Sequence, residues 1–351
     1  MASLKRIIEL QAPGAIIRLW REGIEIYHPI SRKIYRLKFD EVAEIRVHPG
    51  VLIDTDAIPK LLSKRITISI FSETGPLAYI FSPKNGARVS IRIKQFKALN
   101  SDIGLALAKY FAICSVETKS DFLKYLAQNR RKYFPDVAEK LLQISEEIRT
   151  YSKRIRMIVG SLQNVRGKIM ALEGNASRIY FKALSLVIPE KYEYRGKRTI
   201  PKAKDVINAI ISYCNAIVRS EVLHACLLVG LDPYIGFLHK IKDYKPALVL
   251  DISEEFLVPI SHRIAVSLAT KREISERDYY EKNGEIMLTD EGKLKVRHLV
   301  NSFLGKIHKT KHITLREEII QKTRLIAKYI SGETIDLKRS ELFYSWSITT
   351  L

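Results

Sequence analysis

A histidine and three carboxylates lie close together in the segment "GLDPYIGFLHKIKDYKPALVLDISEEF". A turn of Gly, Asp and Pro precedes His239, and a short apolar run precedes Asp251, Glu254 and Glu255. On a helix, Asp251 shares a face with the residues three and four positions later. Like charges on one face destabilise a helix by roughly a few tenths of a kcal/mol unless a cation lies between them. A solvated acidic helix start accounts for the same pattern, because carboxylates favour helix N-termini.

A further carboxylate, Glu173, lies in a long helical pattern beside Gly174 and Ala176, and small neighbours allow a ligand or a second backbone to approach. Alone, Glu173 fits a surface glutamate at a helix kink, and His239 fits a packed or capping histidine. Glu173, His239 and Glu254 nevertheless come from three separate segments. Two carboxylates with one imidazole suit Mn²⁺ or Mg²⁺ better than a structural zinc, which favours Cys and His. In a basic protein this set predicts a metal site that cuts or joins phosphodiesters.

The charge of the chain indicates a polyanionic partner. Its 351 residues include 59 Lys and Arg against 38 Asp and Glu, which gives a formal net charge of +21. Such an excess repels itself, and nucleic acid accounts for it better than the fold does. A membrane surface is the second candidate, but the sequence contains no lipidation motif and no isolated basic amphipathic anchor.

The sequence also predicts a cytoplasmic protein without a membrane attachment. No apolar run approaches the ~20 residues that span a bilayer, and the N-terminal segment "MASLKRIIELQAPG" lacks the long apolar region of a signal peptide. Three cysteines, Cys114, Cys214 and Cys226, have no CxxC spacing. They indicate buried thiols in a reducing compartment and no zinc site.

The elements that position these residues form two domains. Short runs rich in Ile, Tyr and Val, separated by turn signals, predict a small N-terminal β-strand domain over residues 1–85. One short helix is expected within it, at "DTDAIPKLLSK". Helical spacing then predicts a larger all-α catalytic domain over residues 86–351, so the fold class is α+β. Two irregular excursions interrupt this domain, a basic loop "IPEKYEYRGKRTIPKAK" and the segment "ISERDYYEKNGEIMLTDEGK".

Four motifs carry a resemblance to a known family. They are "LEGNASRIYF", "GKRTIPKAKDVINAIISY", "GLDPYIGFLH" and "LVLDISEEF", and a weaker echo extends into the β domain. The chain resembles the CRISPR-associated integrase family, the metal-dependent DNA endonuclease of spacer acquisition. The resemblance implies that Glu173, His239 and Glu254 are metal ligands. It also implies that Asp251 is the additional acidic residue of that catalytic site, whereas Glu255 is a neighbour.

The sequence departs from the family pattern near these motifs. Leu257, Val258 and His262 stand where Arg, Pro and Asp are usual, and Asn215 stands where a Tyr is common. These changes spare the ligand positions. They concern the side chains around the ligands and the DNA contact that the missing arginine would make.

The resemblance implies a metal-dependent DNA endonuclease and integrase that uses Mn²⁺ or Mg²⁺. The 3′-hydroxyl of an incoming DNA fragment would attack a phosphodiester at a repeat boundary. The expected partners are double-stranded DNA, a second copy in a homodimer joined partly through the β domains, and a second, smaller CRISPR adaptation protein.

Two alternatives remain, a transposase-like integrase of a mobile element and a non-catalytic DNA-binding scaffold. The first is disfavoured because little chain follows the catalytic region, which leaves little room for a DNA-reading module. The second is disfavoured because a scaffold has no need of carboxylates near phosphate.

Basic residues near the predicted site are candidates for contacts with the DNA backbone. Ordinary solvated charge accounts for each of them equally well. The candidates are Arg178, Lys182, Arg195, Lys197 and Arg198.

Overall fold

The computed structural model describes residues 6–72, 75–80, 82, 89–307 and 313–335, without the side chains of residues 72, 75 and 76. The chain divides into two compact units, Met1–Ala87 and Arg88–Leu351. The predicted domain boundary after residue 85 lies next to this division. Strands in the first unit and a mostly helical second unit confirm the α+β fold class.

The first unit consists of two four-stranded sheets and one helix. Its elements are β1 (Arg6–Leu10), β2 (Ile16–Trp20), β3 (Gly23–His28), β4 (Lys33–Lys38), β5 (Val42–Val47), β6 (Leu52–Ile53), α1 (Ala57–Ser63), β7 (Thr67–Ser72) and β8 (Gly75–Ile80). The sheet orders are β1-β5-β7-β8 and β4-β3-β2-β6. Strand β5 pairs in parallel with β1 and β7, whereas β3 pairs antiparallel with β2 and β4.

Alternating isoleucines from both sheets build one core in this unit. Ile17, Ile24, Ile45 and Ile68 are fully buried, as expected for strands that present every second side chain to one face. The predicted short helix is confirmed as α1. Strand β4 is an edge strand whose outer face carries an exposed Ile34 opposite Tyr27 of β3.

Helices build the second unit. They are α2 (Val89–Ala98), α3 (Asp102–Gln128), α4 (Pro135–Arg156), α5 (Leu162–Leu184), α6 (Val206–Val229), α7 (Ala247–Leu257), α8 (Arg263–Thr270), α9 (Asp290–Leu304) and α10 (Leu315–Ile330). Helix α3 packs against α4, α5 and α7. Local sequence sets several ends: Pro135 opens α4, Asp205 caps α6 by accepting a bond from the Asn208 amide, and Gly230 ends α6 at φ 92°.

Helix α6 is long and apolar enough to cross a membrane by length and composition alone. Most of its residues are buried among the other helices, including Cys214 and Cys226. Helix α6 is therefore placed as a core helix, and its apolar composition follows from burial on nearly every side.

The expectation of an all-α second domain is corrected by a β-hairpin. Strands β9 (Tyr279–Lys282) and β10 (Glu285–Leu288) pair antiparallel inside the segment that was expected to be irregular. Asn283 and Gly284 connect them with φ values of 53° and 68°. An Asn-Gly pair adopts positive φ easily and forms the two-residue turn that matches strand twist, so the hairpin has a clear signal in the sequence.

Helices α7 and α8 are continuous through a wider π-turn at Val258–His262. Pro259 lies in this turn and has no N–H to donate, and its ring would clash with the carbonyl four residues earlier in a regular helix. Opening the turn removes the clash, which is why the helix widens here.

Candidate active site

Glu173 lies in the middle of α5 with one carboxylate oxygen fully engaged. Oε1 accepts hydrogen bonds from Ser115 Oγ at 2.8 Å, Ser177 Oγ at 2.7 Å and Lys119 Nζ at 3.0 Å. Burial alone would raise the pKa of Glu173, but the Lys119 ammonium and these hydrogen bonds outweigh it and lower the pKa to about 2. Glu173 is therefore ionised at neutral pH.

Ser115 of α3 joins Glu173 to Glu254 of α7. Its Oγ lies 2.7 Å from Glu254 Oε2 and 2.8 Å from Glu173 Oε1, and it accepts a hydrogen bond from Lys119. A hydroxyl has one proton, so it satisfies only one of the two carboxylates at a time. Glu173 has Ser177 and Lys119 as further donors, whereas Ser115 is the one hydrogen-bond donor to Glu254 among the described residues. Glu254 therefore favours additional positive charge.

His239 is held by Asp251, which is fully buried. Asp251 Oδ2 accepts from the backbone amides of Phe237 and Leu238 at 2.6 and 2.9 Å. Its Oδ1 accepts from the amide of His239 at 2.9 Å and contacts His239 Nδ1 at 2.7 Å. Both oxygens are used in fixing this turn, and through these contacts Asp251 positions the imidazole. Its place among the catalytic residues stays a prediction.

The imidazole of His239 lies near the charges of Asp251 and Glu254. Burial alone would lower its pKa, but the hydrogen bond and charge of Asp251, with the charge of Glu254, raise it. The contact with Asp251 occupies Nδ1 and leaves Nε2 as the outward ring nitrogen. Although Asp251 and Glu254 share a helix, their side chains have separate partners, the 237–239 turn and Ser115.

Two basic side chains at the site had not been predicted from the sequence. Lys119 lies one turn after Ser115 on α3, is 4 % exposed and contacts Glu173. Arg219 of α6 is half-buried; burial lowers its pKa, and the nearby charge of Glu254 opposes that shift. The only sequence signal was Ser115, Thr118 and Lys119 as polar residues inside an apolar helix, and it did not identify their partners.

Glu255 points away from the site, as expected of a neighbour. Its Oε2 accepts from Tyr110 at 2.8 Å, and its Oε1 lies 3.3 Å from Lys322. Both contacts are buried, so Glu255 joins α3, α7 and α10.

The residues that depart from the family pattern are all packed inside the protein. Leu257, Val258 and His262 are buried at the π-turn, and His262 Nδ1 lies 3.0 Å from the Tyr180 hydroxyl. Burial lowers the pKa of His262 strongly, and the positive charges of Lys119 and Arg198 lower it further. A neutral imidazole therefore packs here. Asn215, the fourth departure, is also buried.

The predicted basic contacts fall into two groups. Arg178, Lys182, Arg195 and Lys197 are exposed, with Arg178 bonded to Asn175. Arg198 differs, because its guanidinium donates to Asn208 Oδ1 at 2.8 Å and to Ser212 Oγ at 2.7 Å. Arg198 is therefore a structural link between the basic loop and α6 rather than a free cation. The role of the other four in DNA binding stays a prediction.

The donor set fits a divalent cation in its chemistry. Glu173 Oε2, Glu254 Oε1 and His239 Nε2 accept no hydrogen bond from any residue that the structure describes. Within that same part of the chain, no group of three or more His, Cys, Asp or Glu side chains is already arranged as a metal centre. Lys119 and Ser115 hold Glu173 Oε1, and Ser115 also holds Glu254 Oε2. The metal ligands stay a prediction.

Gly174 leaves the surface beside Glu173 open. A Cβ built there would meet no atom within 4 Å, and the same holds at Gly167, two turns earlier on the same face of α5. The sequence left open whether a second backbone or a ligand approaches here. Among the described residues no second backbone does so, and the approach of a ligand stays a prediction.

Comparison with known proteins gives a consistent result. Residues 8–302 match the profile of the family described as CRISPR associated protein Cas1. The CRISPR-associated endonuclease Cas1 of Archaeoglobus fulgidus is 27% identical over 322 residues, which cover 89% of this chain and 92% of that protein. The Cas1 endonuclease of Moorella thermoacetica is 35% identical over 291 residues, 81% of each chain.

Solved structures show the same fold at lower identity. A Cas1 protein from Thermotoga maritima superposes with a TM-score of 0.72 at 22% identity, covering 94% of this chain and 98% of the other. A casposase bound to integration product gives a TM-score of 0.75 at 20% identity, with 99% and 96% covered. A chain of a partial Cas6-RT-Cas1–Cas2 complex gives 0.71 at 20% identity, with 99% and 100% covered.

Proposed function

This chain belongs to the Cas1 family of CRISPR-associated endonucleases, and on that premise we propose that it is a metal-dependent integrase that inserts DNA fragments as spacers. The observation that carries the proposal is the hydroxyl of Ser115, which brings a carboxylate oxygen of Glu173 and one of Glu254 together, with His239 near enough for the charge of Glu254 to act on its ring. Two carboxylates this close together favour a bound cation. A pair of carboxylates with one imidazole selects Mn²⁺ or Mg²⁺.

The proposed reaction is strand transfer. The 3′-oxygen of the incoming fragment forms a bond to phosphorus at the repeat boundary, and the bond from that phosphorus to the departing 3′-oxygen breaks. The hydroxyl proton leaves the attacking oxygen, and the departing oxygen gains one. When bound, Mn²⁺ or Mg²⁺ would polarise the phosphate and lower the pKa of the attacking hydroxyl. With water as the nucleophile, the same site would act as an endonuclease.

The protein side chains have separate tasks in this proposal. Glu173 and Glu254 supply oxygen ligands, and His239 supplies Nε2 while Asp251 fixes its ring. Lys119 keeps Glu173 ionised through its ammonium group. Residues Arg178, Lys182, Arg195 and Lys197 hold the DNA backbone on the exposed surface.

Partner proteins follow from the family. The neighbouring structure of a partial Cas6-RT-Cas1–Cas2 complex supports assembly of this chain with a smaller adaptation protein.

We also propose a homodimer contact through the outer face of β4, because Ile34 is 55% exposed beside Tyr27 on an edge strand. Ile34→Lys should convert a sedimenting dimer to a monomer. Leu77→Lys, at a residue that is 74% exposed on the other sheet, is the matched control.

A strand-transfer assay with and without Mn²⁺ tests the catalytic proposal. His239→Ala should abolish both strand transfer and cleavage, while the thermal melt without metal stays close to that of the wild type. His298→Ala, which removes an exposed histidine of α9, should keep full activity. Near-normal strand transfer by His239→Ala would overturn the assignment. If the wild type bound DNA without any metal-dependent chemistry, the scaffold alternative would be favoured.

The transposase-like alternative has one structural argument, the casposase likeness over nearly the whole chain. At 20% identity that likeness concerns the fold alone. Integration into a supercoiled plasmid that carries a CRISPR repeat, against the same plasmid without it, separates the two functions. A spacer integrase should insert at the repeat boundary, whereas equal insertion into both plasmids would favour the alternative.

A further inference from the structure

A cationic cavity lies at the C-terminal end of α3. Its volume is about 310 Å³, and it is bounded by the C-terminal part of α3, the turn that follows it, and α8. Phe122, Tyr125 and Leu126 form its apolar wall, and Arg263 lies among them. This cavity is separate from the Glu173 site, which uses Ser115 and Lys119 earlier on α3.

Arg263 forms no ion pair with an Asp or Glu among the described residues. The residue is 9% exposed, and its Nε has no hydrogen-bond partner in the described part of the chain. The guanidinium lies 5.7 Å from the ring centre of Tyr125 and 5.1 Å from that of Phe303. Both of these contacts are with aromatic faces, and neither ring replaces an anion. A buried Nε–H without a partner costs free energy, and an anion that accepts from it would recover that cost.

The surrounding charges are positive as well. Arg130 and Lys271 line the same cavity, and no Asp or Glu does so among the described residues. Arg130 uses one nitrogen on the Leu126 carbonyl at 3.2 Å. Burial lowers the pKa of Lys306, and the positive charge of Arg263 lowers it further. These two cations therefore lie close together.

The rim of the cavity suits a flat group. Tyr133 and Phe134 are 71% and 60% exposed at the turn after α3. Exposed aromatic side chains stack on nucleobases in a manner tolerant of base identity. Cations at the bottom of the cavity suit a phosphate, and aromatic side chains at its rim suit the nucleobase attached to that phosphate.

We propose that this cavity binds a phosphate-bearing ligand of nucleotide size, with the phosphate at Arg263, Arg130 and Lys271 and the base against Tyr133 and Phe134. The phosphate has two possible sources, a free nucleotide or a nucleotide of the bound DNA strand. The second source rests on the proposed function, whereas the first does not. One face of α3 connects the two sites, since Ser115, Lys119, Phe122 and Leu126 follow one another at helical spacing.

Isothermal titration of the full chain with thymidine 5′-monophosphate, in EDTA to silence the metal site, tests the proposal. The wild type should bind saturably, and thymidine, which lacks the phosphate, should bind at least about tenfold more weakly because a charge-assisted contact is lost. Arg263→Gln should weaken binding by about tenfold or more. Lys271→Gln, at the exposed rim, should weaken it by about two- to fivefold. Lys140→Gln, at an exposed lysine of α4, should leave binding unchanged.

The rim variant keeps the proposal testable if Arg263→Gln does not fold. A phosphorylated single strand is then used in place of the nucleotide, and the KM for DNA is measured in strand transfer. A KM raised in Lys271→Gln with kcat unchanged identifies DNA as the source. Weaker nucleotide binding with an unchanged KM identifies a free nucleotide.

Equal binding of thymidine and its monophosphate, or no effect of Lys271→Gln on either ligand, would overturn the proposal. Since titration needs no metal or catalysis, its outcome is independent of the strand-transfer assay.

Discussion

Changing Asp251 to Asn separates a positioning residue from a metal ligand. The carboxylate accepts four hydrogen bonds from the 237–239 turn, two on each oxygen. An amide keeps one oxygen, and its NH₂ group would face a pair of donors. At about 1–3 kcal/mol for each buried donor left unsatisfied, two lost bonds cost about 2–6 kcal/mol of unfolding free energy. At this chain length of 351 residues, such a loss corresponds to a fall of roughly 3–8 °C in melting temperature.

Glu254→Gln is the matched control for this experiment. It also converts a carboxylate to an amide on α7, but Glu254 has a single hydrogen bond, to Ser115, and an amide oxygen can retain it. We expect both variants to lose strand transfer. In EDTA, Asp251→Asn should have a lower melting temperature than the wild type, whereas Glu254→Gln should not. Added Mn²⁺ should raise the melting temperature of the wild type by more than that of either variant. If Asp251→Asn melted like the wild type in EDTA, Asp251 would not be holding the turn, and a direct ligand role would replace the positioning role.

Three further predictions concern other parts of the chain. Gly174→Ala should raise the free energy of unfolding by about 0.5–1 kcal/mol in denaturant titrations, because the added Cβ meets open space; a destabilised variant would contradict that geometry. Burial alone would raise the pKa of Glu9, but His48, Gln11 and Arg46 lower it below its ordinary 4.5, so the stability it contributes is present above pH 4.5 and lost as the pH falls further. Glu9→Gln should therefore flatten the acid side of the stability curve, and an unchanged curve would refute this. DNA affinity should fall by ~10³–10⁵ between 50 and 200 mM salt if about 6–10 phosphates are contacted, and a salt-independent Kd would exclude a mainly electrostatic interface.

Periodicity was sufficient to predict most of the fold. The change from period-two runs to helical spacing near residue 85 placed the two units, and Pro135 and Gly230 lie at helix ends as their backbone preferences require. The hairpin at Asn283–Gly284 was missed because its strands are short and polar, although the turn itself was readable.

The site was harder to predict because its contacts join distant segments. Glu173, His239 and Glu254 were named from motifs, but the bridge between two of them depends on Ser115, and nothing local in α3 marks it. Arg198 was grouped with its exposed neighbours because sequence does not show that Asn208 and Ser212 take up its donors. Residue type predicted the chemistry of these groups, whereas tertiary packing determined which groups were free.

The π-turn after α7 fixes the phase between two stretches of one continuous helix. Each residue of a regular α-helix turns the chain by about 100°, and the wider turn at Val258–His262 accommodates one residue more than a regular turn. Deleting one residue inside the turn would therefore restore a regular α-helix and leave the phase between α7 and α8 nearly unchanged. Deleting one residue from the regular helix between Glu254 and the turn would instead rotate α8 by about 100° relative to Glu254. Glu254 and Arg263 could then no longer both face their present neighbours, Ser115 and Tyr125. Chain length between Glu254 and the turn is consequently constrained more tightly than residue identity, and deletions there should be tolerated less well than deletions within the turn.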